Sequence, residues 1–227
     1  MDIVYMREVP LVSFDVEAYE RSLSKVTEIG FSIYDPELSK NSIFPAIKSG
    51  HIIIKEHLKL NNYKFVPNHK RLYSGGISYV ASIEESKKIM QSIFDEYITK
   101  RSGAFVGHNI GGDIRWLQQM NVDISNDVKT VDTFKLHALS RKRDGTLRGV
   151  LRYLDIPHSY LHNAGNDSYF TLLAAFALCD PELRALKNMD TFQDNKGIDK
   201  KDAKKHKFSD QPEITEYLGK GIGFFDE

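Results

Sequence analysis

Four carboxylates and one histidine, in three separated stretches of the chain, have types and spacings suited to metal-dependent chemistry. Asp15 and Glu17 lie two residues apart in an alternating segment. Both side chains therefore leave the same face of a predicted strand, about 6–7 Å apart at the backbone. Two acids on a central strand repel each other and resist burial unless a cation lies between them. An edge strand with two exposed acids would show the same pattern, so this pair alone does not establish a site.

The second stretch, residues 107–113, places Asp113 in the first turns of a helix that follows a short buried strand. Gly111 and Gly112 precede the acid and allow another backbone or a ligand to approach closely. The alternative is an ordinary helix start, in which Asn109 caps the helix and Asp113 interacts favourably with its dipole. Taken alone, this stretch favours that alternative.

The third stretch, residues 162–167, puts His162 on a loop and Asp167 in the first turn of the last strong helix. A histidine beside a carboxylate–metal cluster can accept a proton from water near neutral pH. In isolation, a surface turn rich in Asn and Gly would explain the same residues. This stretch predicts a metal site only in combination with the other two.

Together, the three stretches predict a metal site made of Asp15, Glu17, Asp113 and Asp167, with His162 beside it. Two divalent ions would neutralise the four carboxylates, and oxygen ligands of this kind select Mg²⁺ or Mn²⁺ over zinc. Two such ions about 3.5–4 Å apart would clamp the attacking and leaving oxygens of a phosphodiester. The predicted chemistry is therefore phosphodiester hydrolysis.

The elements that must position these residues predict an α/β fold. A capping box, Ser82 with Glu85, begins one helix, and apolar stripes predict others over 110–117, 147–154 and 166–179. The expected architecture is a mixed five-stranded sheet with helices on both faces. Its predicted strands cover 11–17, 28–34, 51–55, 104–107 and 128–132.

The domain organisation predicted from the sequence is one domain over residues 1–180 and a C-terminal extension over 181–227. Within the domain, residues 41–80 are expected to form an insertion or extended loop. Residues 196–207 hold six lysines and little to bury. A solvated, partly flexible tail is the favoured interpretation, and nucleic-acid binding is the alternative.

Composition excludes several classes of protein. Lys and Arg number 31 and Asp and Glu number 31, which argues against a protein that coats nucleic acid or a membrane surface. The single cysteine, Cys179, excludes a disulfide framework. We expect no secretory signal, because the first ten residues have no apolar run long enough for one, and no apolar stretch approaches the roughly 20 residues that span a bilayer. We expect an intracellular protein, in the cytoplasm by preference, with nucleus and mitochondrion left open.

The three stretches resemble the motifs of the DEDDh branch of the DnaQ-like 3′–5′ exonucleases, which have an RNase H-like fold. The D-x-E motif matches Asp15 to Glu17, and the second motif matches His108-Asn109 and Asp113. The third, H-x-A-x-x-D, matches residues 162–167 throughout. The Ile29-Gly30 pair stands where the family has Ile-Gly on its second strand, and the resemblance covers residues 10 to 180.

The resemblance implies a two-metal exonuclease that releases nucleoside 5′-monophosphates. Asp15, Glu17 and Asp167 would hold the first ion, Asp15 would bridge to the second, and Asp113 would support the second. His162 would be the general base. These five residues form the catalytic set that the resemblance implies.

Candidate substrate contacts are Ala18, His108, Asn109 and Arg148. Ala18 stands where many relatives carry a threonine, and its backbone amide would contact the terminal 3′-hydroxyl region. Arg148, Arg152 and residues 141–143 could contact phosphates, or could form an exposed basic face. The segment 51–76 is similar to a fungal subgroup linked to messenger-RNA export and small-RNA processing.

Two functions from different classes remain. The first is an exonuclease for single-stranded nucleic acid, with RNA favoured over DNA. The second is a catalytically silent adaptor of the same fold that binds RNA or protein. The adaptor hypothesis predicts that a metal ligand or the histidine has been lost. The sequence retains all four carboxylates and His162. Substrate length, protein partners and oligomeric state stay open.

Overall fold

The computed structural model describes residues 1–40, 44–140 and 144–190 of this chain. Within them, six strands form one mixed sheet, in which neighbouring strands follow the order β4-β3-β2-β1-β5-β6. The strands are β1 Leu11–Tyr19, β2 Ser22–Tyr34, β3 Ile47–Ile54, β4 Ser78–Ala81, β5 Ala104–Gly107 and β6 Thr130–Asp132. The pairs β1–β2 and β2–β3 are antiparallel, and the other three pairs are parallel.

Eight α-helices lie in the described part of the chain. They are α1 Asp2–Tyr5, α2 Pro36–Ser39, α3 Ile83–Ile93, α4 Gly111–Gln119, α5 Thr133–Leu139, α6 Leu147–Tyr153, α7 Ala164–Cys179 and α8 Pro181–Leu186. The predicted capping box of Ser82 and Glu85 begins α3, and a π-helical turn, Phe94–Lys100, extends it. No described helix has the length and apolar character needed to cross a bilayer.

The two faces of β1 carry different side chains, because successive side chains of a strand point to opposite sides. Val12, Phe14 and Val16 lie in a buried apolar cluster with residues of α3 and α4. Asp15 and Glu17 leave the opposite face, and α7 packs against β1 and β2. One face of the strand thus anchors the fold, and the other presents the acid pair.

The predicted α/β fold with helices on a mixed sheet is confirmed, but the sheet has six strands and not five. The missed strand is β4, where Tyr79 and Val80 are both exposed, so the segment shows no alternation of apolar and polar residues. β2 begins at Ser22, six residues earlier than predicted, which leaves only Glu20 and Arg21 to connect it to β1. Residues 141–143 and the lysine-rich segment 196–207 lie outside the described residues.

Candidate active site

Asp113 is fixed beside the acid pair because β1 continues past its parallel neighbour. β5 pairs with β1 only from Leu11 to Ser13, and the chain then turns into α4. Asp113, in the first turn of α4, accepts a hydrogen bond at Oδ1 from the backbone N–H of Val16, 3.0 Å away. The carboxylate therefore binds β1 between Asp15 and Glu17.

The start of α4 does not follow the ordinary capping pattern. Ile110 occupies the N-cap position without a side-chain cap, and Asn109 has a φ of 60°. The alternative in which Asn109 caps this helix is wrong. The backbone N–H of Asn109 instead donates to Oδ1 of Asp132, 2.9 Å away.

Gly30 brings the first turn of α7 close to the sheet. It lies opposite Asp15 in the β1–β2 pair. A Cβ atom at this position would lie 1.9 Å from the carbonyl oxygen of Ala164 and 2.3 Å from the backbone nitrogen of Gly165. Only glycine permits this approach. The close approach of α7 to the sheet brings Asp167, in the first turn of α7, near the acids of β1.

Asp167 has one carboxylate oxygen without a partner. Its Oδ2 accepts a hydrogen bond from the backbone N–H of His162 at 2.9 Å, whereas Oδ1 is buried and accepts none. Nδ1 of His162 lies 3.9 Å from Oε1 of Glu17, and the ligand atoms of Glu17, His162 and Asp167 all lie within 4.8 Å of one another. A buried, unpaired carboxylate oxygen is costly unless a cation binds it. These residues therefore fit a divalent metal ion.

The electrostatics of the site agree with that fit. Burial, followed by repulsion from neighbouring acids, raises the pKa of Asp15 and of Glu17 well above their usual values. Burial raises the pKa of Asp113 to about 7 and that of Asp167 to about 8. Burial also lowers the pKa of His162 to about 4. Without a cation the acids thus favour protonation, while the imidazole is neutral at pH 7.

Glu28 is an acid of this site that sequence reasoning missed. It is 4% exposed and lies opposite Glu17 in the β1–β2 pair. Its charge contributes to the raised pKa of Asp15, Glu17 and Asp167. Oε2 of Glu28 lies 3.0 Å from Nε2 of the fully buried His51. The only signal in the sequence is an acid inside a buried strand, and its place depends on a register that one sequence does not give.

The variable positions of the third motif hold the extended segment between β3 and β4. The side-chain amide of Asn163 donates to the carbonyl oxygen of His69 at 3.0 Å, and that of Asn166 donates to Leu72 at 2.9 Å. The backbone N–H of Ser74 donates to Oδ1 of Asn166 at 2.8 Å. These contacts link residues more than 90 positions apart, and local sequence patterns do not reveal them.

Of the candidate substrate contacts, Arg148 acts on the charges of the acid site, whereas His108 is bonded to other protein groups. The charge of Arg148 contributes to the lowered pKa of His162 and acts on Asp167, so this arginine lies within electrostatic range of the acid site. The ring of His108 is held by protein groups, since Nε2 donates to the carbonyl oxygen of Gly145 at 2.8 Å and Nδ1 lies 2.9 Å from the hydroxyl of Thr133.

Two further candidate positions differ in exposure. Ala18 is buried, and its carbonyl oxygen accepts a hydrogen bond from the side-chain amide of Asn62. Asn109 is exposed at the turn into α4. Their predicted contacts with substrate remain predictions.

Comparison with known proteins identifies the family. Residues 10–178 match the DEDDh family described as DNA polymerase III subunit epsilon-like, C-terminal domain. The chain belongs to the DEDDh family. This agrees with the motifs at Asp15, Asp113 and His162, and the predicted family is confirmed.

The DEDDh chain is also similar to two proteins of Saccharomyces cerevisiae. It is 37% identical over 205 residues to Good for full DBP5 activity protein 2 and 37% identical over 199 residues to the uncharacterized protein YDR514C. These matches cover 78% and 76% of this chain, but only 36% and 41% of the relatives. The chain thus spans about two fifths of the length of the curated relatives it matches.

Among solved structures, the DEDDh chain resembles E. coli exonuclease I in complex with a dT13 oligonucleotide. The TM-score is 0.47 and the sequence identity 12%, with 80% of this chain and 43% of that chain covered.

Proposed function

We propose that this DEDDh domain is a metal-dependent 3′–5′ exonuclease for single-stranded nucleic acid, with RNA favoured over DNA. The observation that carries the proposal is the unpaired, buried Oδ1 of Asp167 among acids whose pKa values are raised. Such an arrangement is costly for stability and is typical of a site that binds a cation.

The ligands proposed for two Mg²⁺ or Mn²⁺ ions are Asp15, Glu17, Asp113 and Asp167. When bound, the ions would supply electrophilic stabilisation of the attacking and leaving oxygens of the phosphodiester. Glu28, whose carboxylate lies beside the ring of His51, adds one further acid to the surroundings of these ligands. Asp113 also holds β1 in place through Val16, so its loss would affect both the ions and the strand.

His162 is the proposed general base. Its imidazole is neutral at pH 7 because burial and the charge of Arg148 lower its pKa. Its side chain is 36% exposed, which leaves the ring accessible to water. The ring accepts the proton of water as the water oxygen bonds to phosphorus. The bond from phosphorus to the 3′-oxygen of the preceding nucleotide breaks, so the product is a nucleoside 5′-monophosphate.

The preference for RNA rests on lineage and not on a contact in the site. The segment 51–76 resembles fungal relatives linked to RNA export and processing, and recognition of a 2′-hydroxyl depends on the shape of the cleft. An intracellular location, with the cytoplasm preferred over the nucleus and mitochondrion, is part of the same proposal.

A second candidate function is an adaptor that supports another protein. The 37% identity to Good for full DBP5 activity protein 2 favours it, because the name of that relative refers to the activity of a different protein. Since an adaptor needs no catalysis, its function gives no reason to keep four mutually repelling acids together. The exonuclease is therefore preferred.

Digestion of matched 5′-labelled RNA and DNA strands with Mg²⁺ or Mn²⁺ separates the two functions. The exonuclease predicts a ladder that shortens from the 3′ end, faster for RNA, and that disappears in chelator and in Asp15→Ala and His162→Ala. The adaptor predicts intact strands for the wild type at every metal concentration, together with measurable binding. Equal rates on RNA and DNA would contradict only the proposed preference for RNA and not the exonuclease function.

A further inference from the structure

A short part of the segment between β3 and β4 is hydrogen-bonded to the end of β1. We call residues 62–65 the strap. The backbone N–H of Glu20 donates to Oδ1 of Asn62, and the side-chain amide of Asn62 donates to the carbonyl oxygen of Ala18, both at 2.9 Å. Ala18 and Glu20 follow Glu17 by one and three residues, which is at most about 3–10 Å along the chain. The strap therefore borders the acid site.

The backbone of the strap is fixed by one carboxylate. Oε1 and Oε2 of Glu20 accept hydrogen bonds from the backbone N–H groups of Tyr63, Lys64 and Phe65, at 3.0–3.3 Å. Three consecutive N–H groups that converge on one carboxylate hold the turn in a single conformation. The strap is thus an ordered part of the β1 end.

The side chains of Tyr63, Lys64 and Phe65 face solvent. Tyr63 and Phe65 are 72% and 71% exposed. The hydroxyl of Tyr63 accepts a hydrogen bond from the side-chain amide of Asn68 at 3.0 Å, and Nζ of Lys64 lies 4.9 Å from the centre of the Phe65 ring. Two exposed aromatic rings beside a cation, on a backbone fixed by hydrogen bonds, offer ring faces and a positive charge to a ligand.

We propose that the strap is a base-stacking subsite for the nucleotides that precede the 3′ terminus of a single-stranded substrate. The inference rests on the proposed exonuclease function, because the terminal phosphodiester must lie at Asp15 and Glu17. Two or three stacked nucleotides, at about 3.4 Å each, span the distance from there to the strap. Every base offers a ring face, so stacking on Tyr63 and Phe65 tolerates any sequence, and Lys64 contacts phosphate.

Binding of 5′-fluorescent single-stranded RNA and DNA to a non-cleaving Asp15→Asn parent tests this subsite. Tyr63→Ala and Phe65→Ala are each expected to raise Kd by about 5- to 150-fold, as loss of one stacked base does. Tyr63→Phe retains the ring and is expected to bind like the parent. Phe44→Ala is the matched control, because Phe44 is 77% exposed and precedes Ile47, which pairs at the Leu11 end of the sheet.

The outcomes separate this subsite from the function itself. Unchanged Kd for both alanine variants, with a parent that binds the strands, would overturn the subsite and leave the proposed exonuclease function standing. A parent that binds no strand would overturn both proposals. Photocrosslinking with 5-iodouridine at single positions gives a second readout: Tyr63 and Phe65 are expected to crosslink near the 3′ end and not at the 5′ end. Crosslinks only to residues outside the strap would contradict the subsite.

Discussion

His69 donates a hydrogen bond from Nδ1 to the carbonyl oxygen of Leu161, 2.6 Å away, directly before His162 in the chain. Tyr160 and His162, on either side of that carbonyl, have φ values of 51° and 68°. Residues with a Cβ atom seldom adopt this left-handed conformation unless surrounding contacts hold them there. The segment between β3 and β4 thus stabilises the backbone that carries the proposed base.

Replacement of His69 is expected to lower kcat by misplacing His162. His69→Ala removes the hydrogen bond and should reduce kcat by about tenfold to a hundredfold with a small change in KM. His69→Asn places an amide nitrogen where Nδ1 lies and should restore most of the rate. Steady-state kinetics of both variants would check this.

His158→Ala is the control for that comparison, because Nδ1 of His158 also bonds to a carbonyl oxygen, that of Ile156, but outside the segment between β3 and β4. It should leave kcat unchanged. Equal losses for His69→Ala and His69→Asn would show that the hydrogen bond is not what matters.

The metal-free protein is expected to lose stability as the pH rises. Asp113 and Asp167 have native pKa values of about 7 and about 8, above those of unfolded carboxyl groups. Between about pH 4 and pH 8 the native state therefore binds more protons than the unfolded state, so the free energy of unfolding falls with rising pH. Mn²⁺ should raise Tm more at pH 8 than at pH 5.5, because its ligands must be deprotonated.

Asp167→Asn tests the sign of that effect. It should raise the Tm of the metal-free protein at pH 8 and remove most of the shift that Mn²⁺ causes. Asp35→Asn is the opposite control: a hydrogen bond from Arg101 lowers the pKa of Asp35, so removal of this charge should lower Tm at pH 8. A metal-free Asp167→Asn protein less stable than the wild type at pH 8 would refute the repulsion within the acid site.

Arg148 is expected to tune the proposed base. Its positive charge, after burial, lowers the pKa of His162, so Arg148→Gln should raise that pKa. The acid limb of the kcat/KM profile should then move to higher pH, and NMR titration of the His162 ring would measure the shift directly. Arg152→Gln on the same helix should leave the His162 titration in place. An unchanged His162 pKa in Arg148→Gln would place the arginine too far away to matter.

Gly30 is expected to tolerate no side chain. A Cβ there would collide with the backbone of α7, so Gly30→Ala should destabilise the fold by about 3 kcal/mol or more. Gly111→Ala is the matched control, because nothing lies within 4 Å of a Cβ at that position. Urea unfolding of both variants would measure the difference. A Gly30→Ala protein as stable as Gly111→Ala would mean that α7 can move away from the sheet without cost.

The sequence predicts those parts of the fold and site that depend on local patterns. Phe14 alternates with Asp15, the capping box of Ser82 is complete within four residues, and His162 and Asp167 share one short motif. These features are visible because each is fixed by neighbours along the chain.

The remaining parts depend on long-range pairing. Glu28 joins the acid site only through the β1–β2 register, and His69 reaches Leu161 across 92 residues. β4 is missed because its exposed side chains show no alternation of apolar and polar residues. A single sequence gives neither register nor distant hydrogen bonds, so these features require the structure.

The central claim is that this domain removes nucleotides one at a time from a 3′ end. The most direct measurement uses a short RNA whose 3′-terminal nucleotide occurs nowhere else in the strand, incubated with Mn²⁺ and sampled early by mass spectrometry. We expect the 5′-monophosphate of that nucleotide to appear first, and to be absent with Asp15→Asn or chelator. Release of internal fragments or 3′-phosphates, or no release while a known DEDDh exonuclease degrades the same RNA, would contradict the claim.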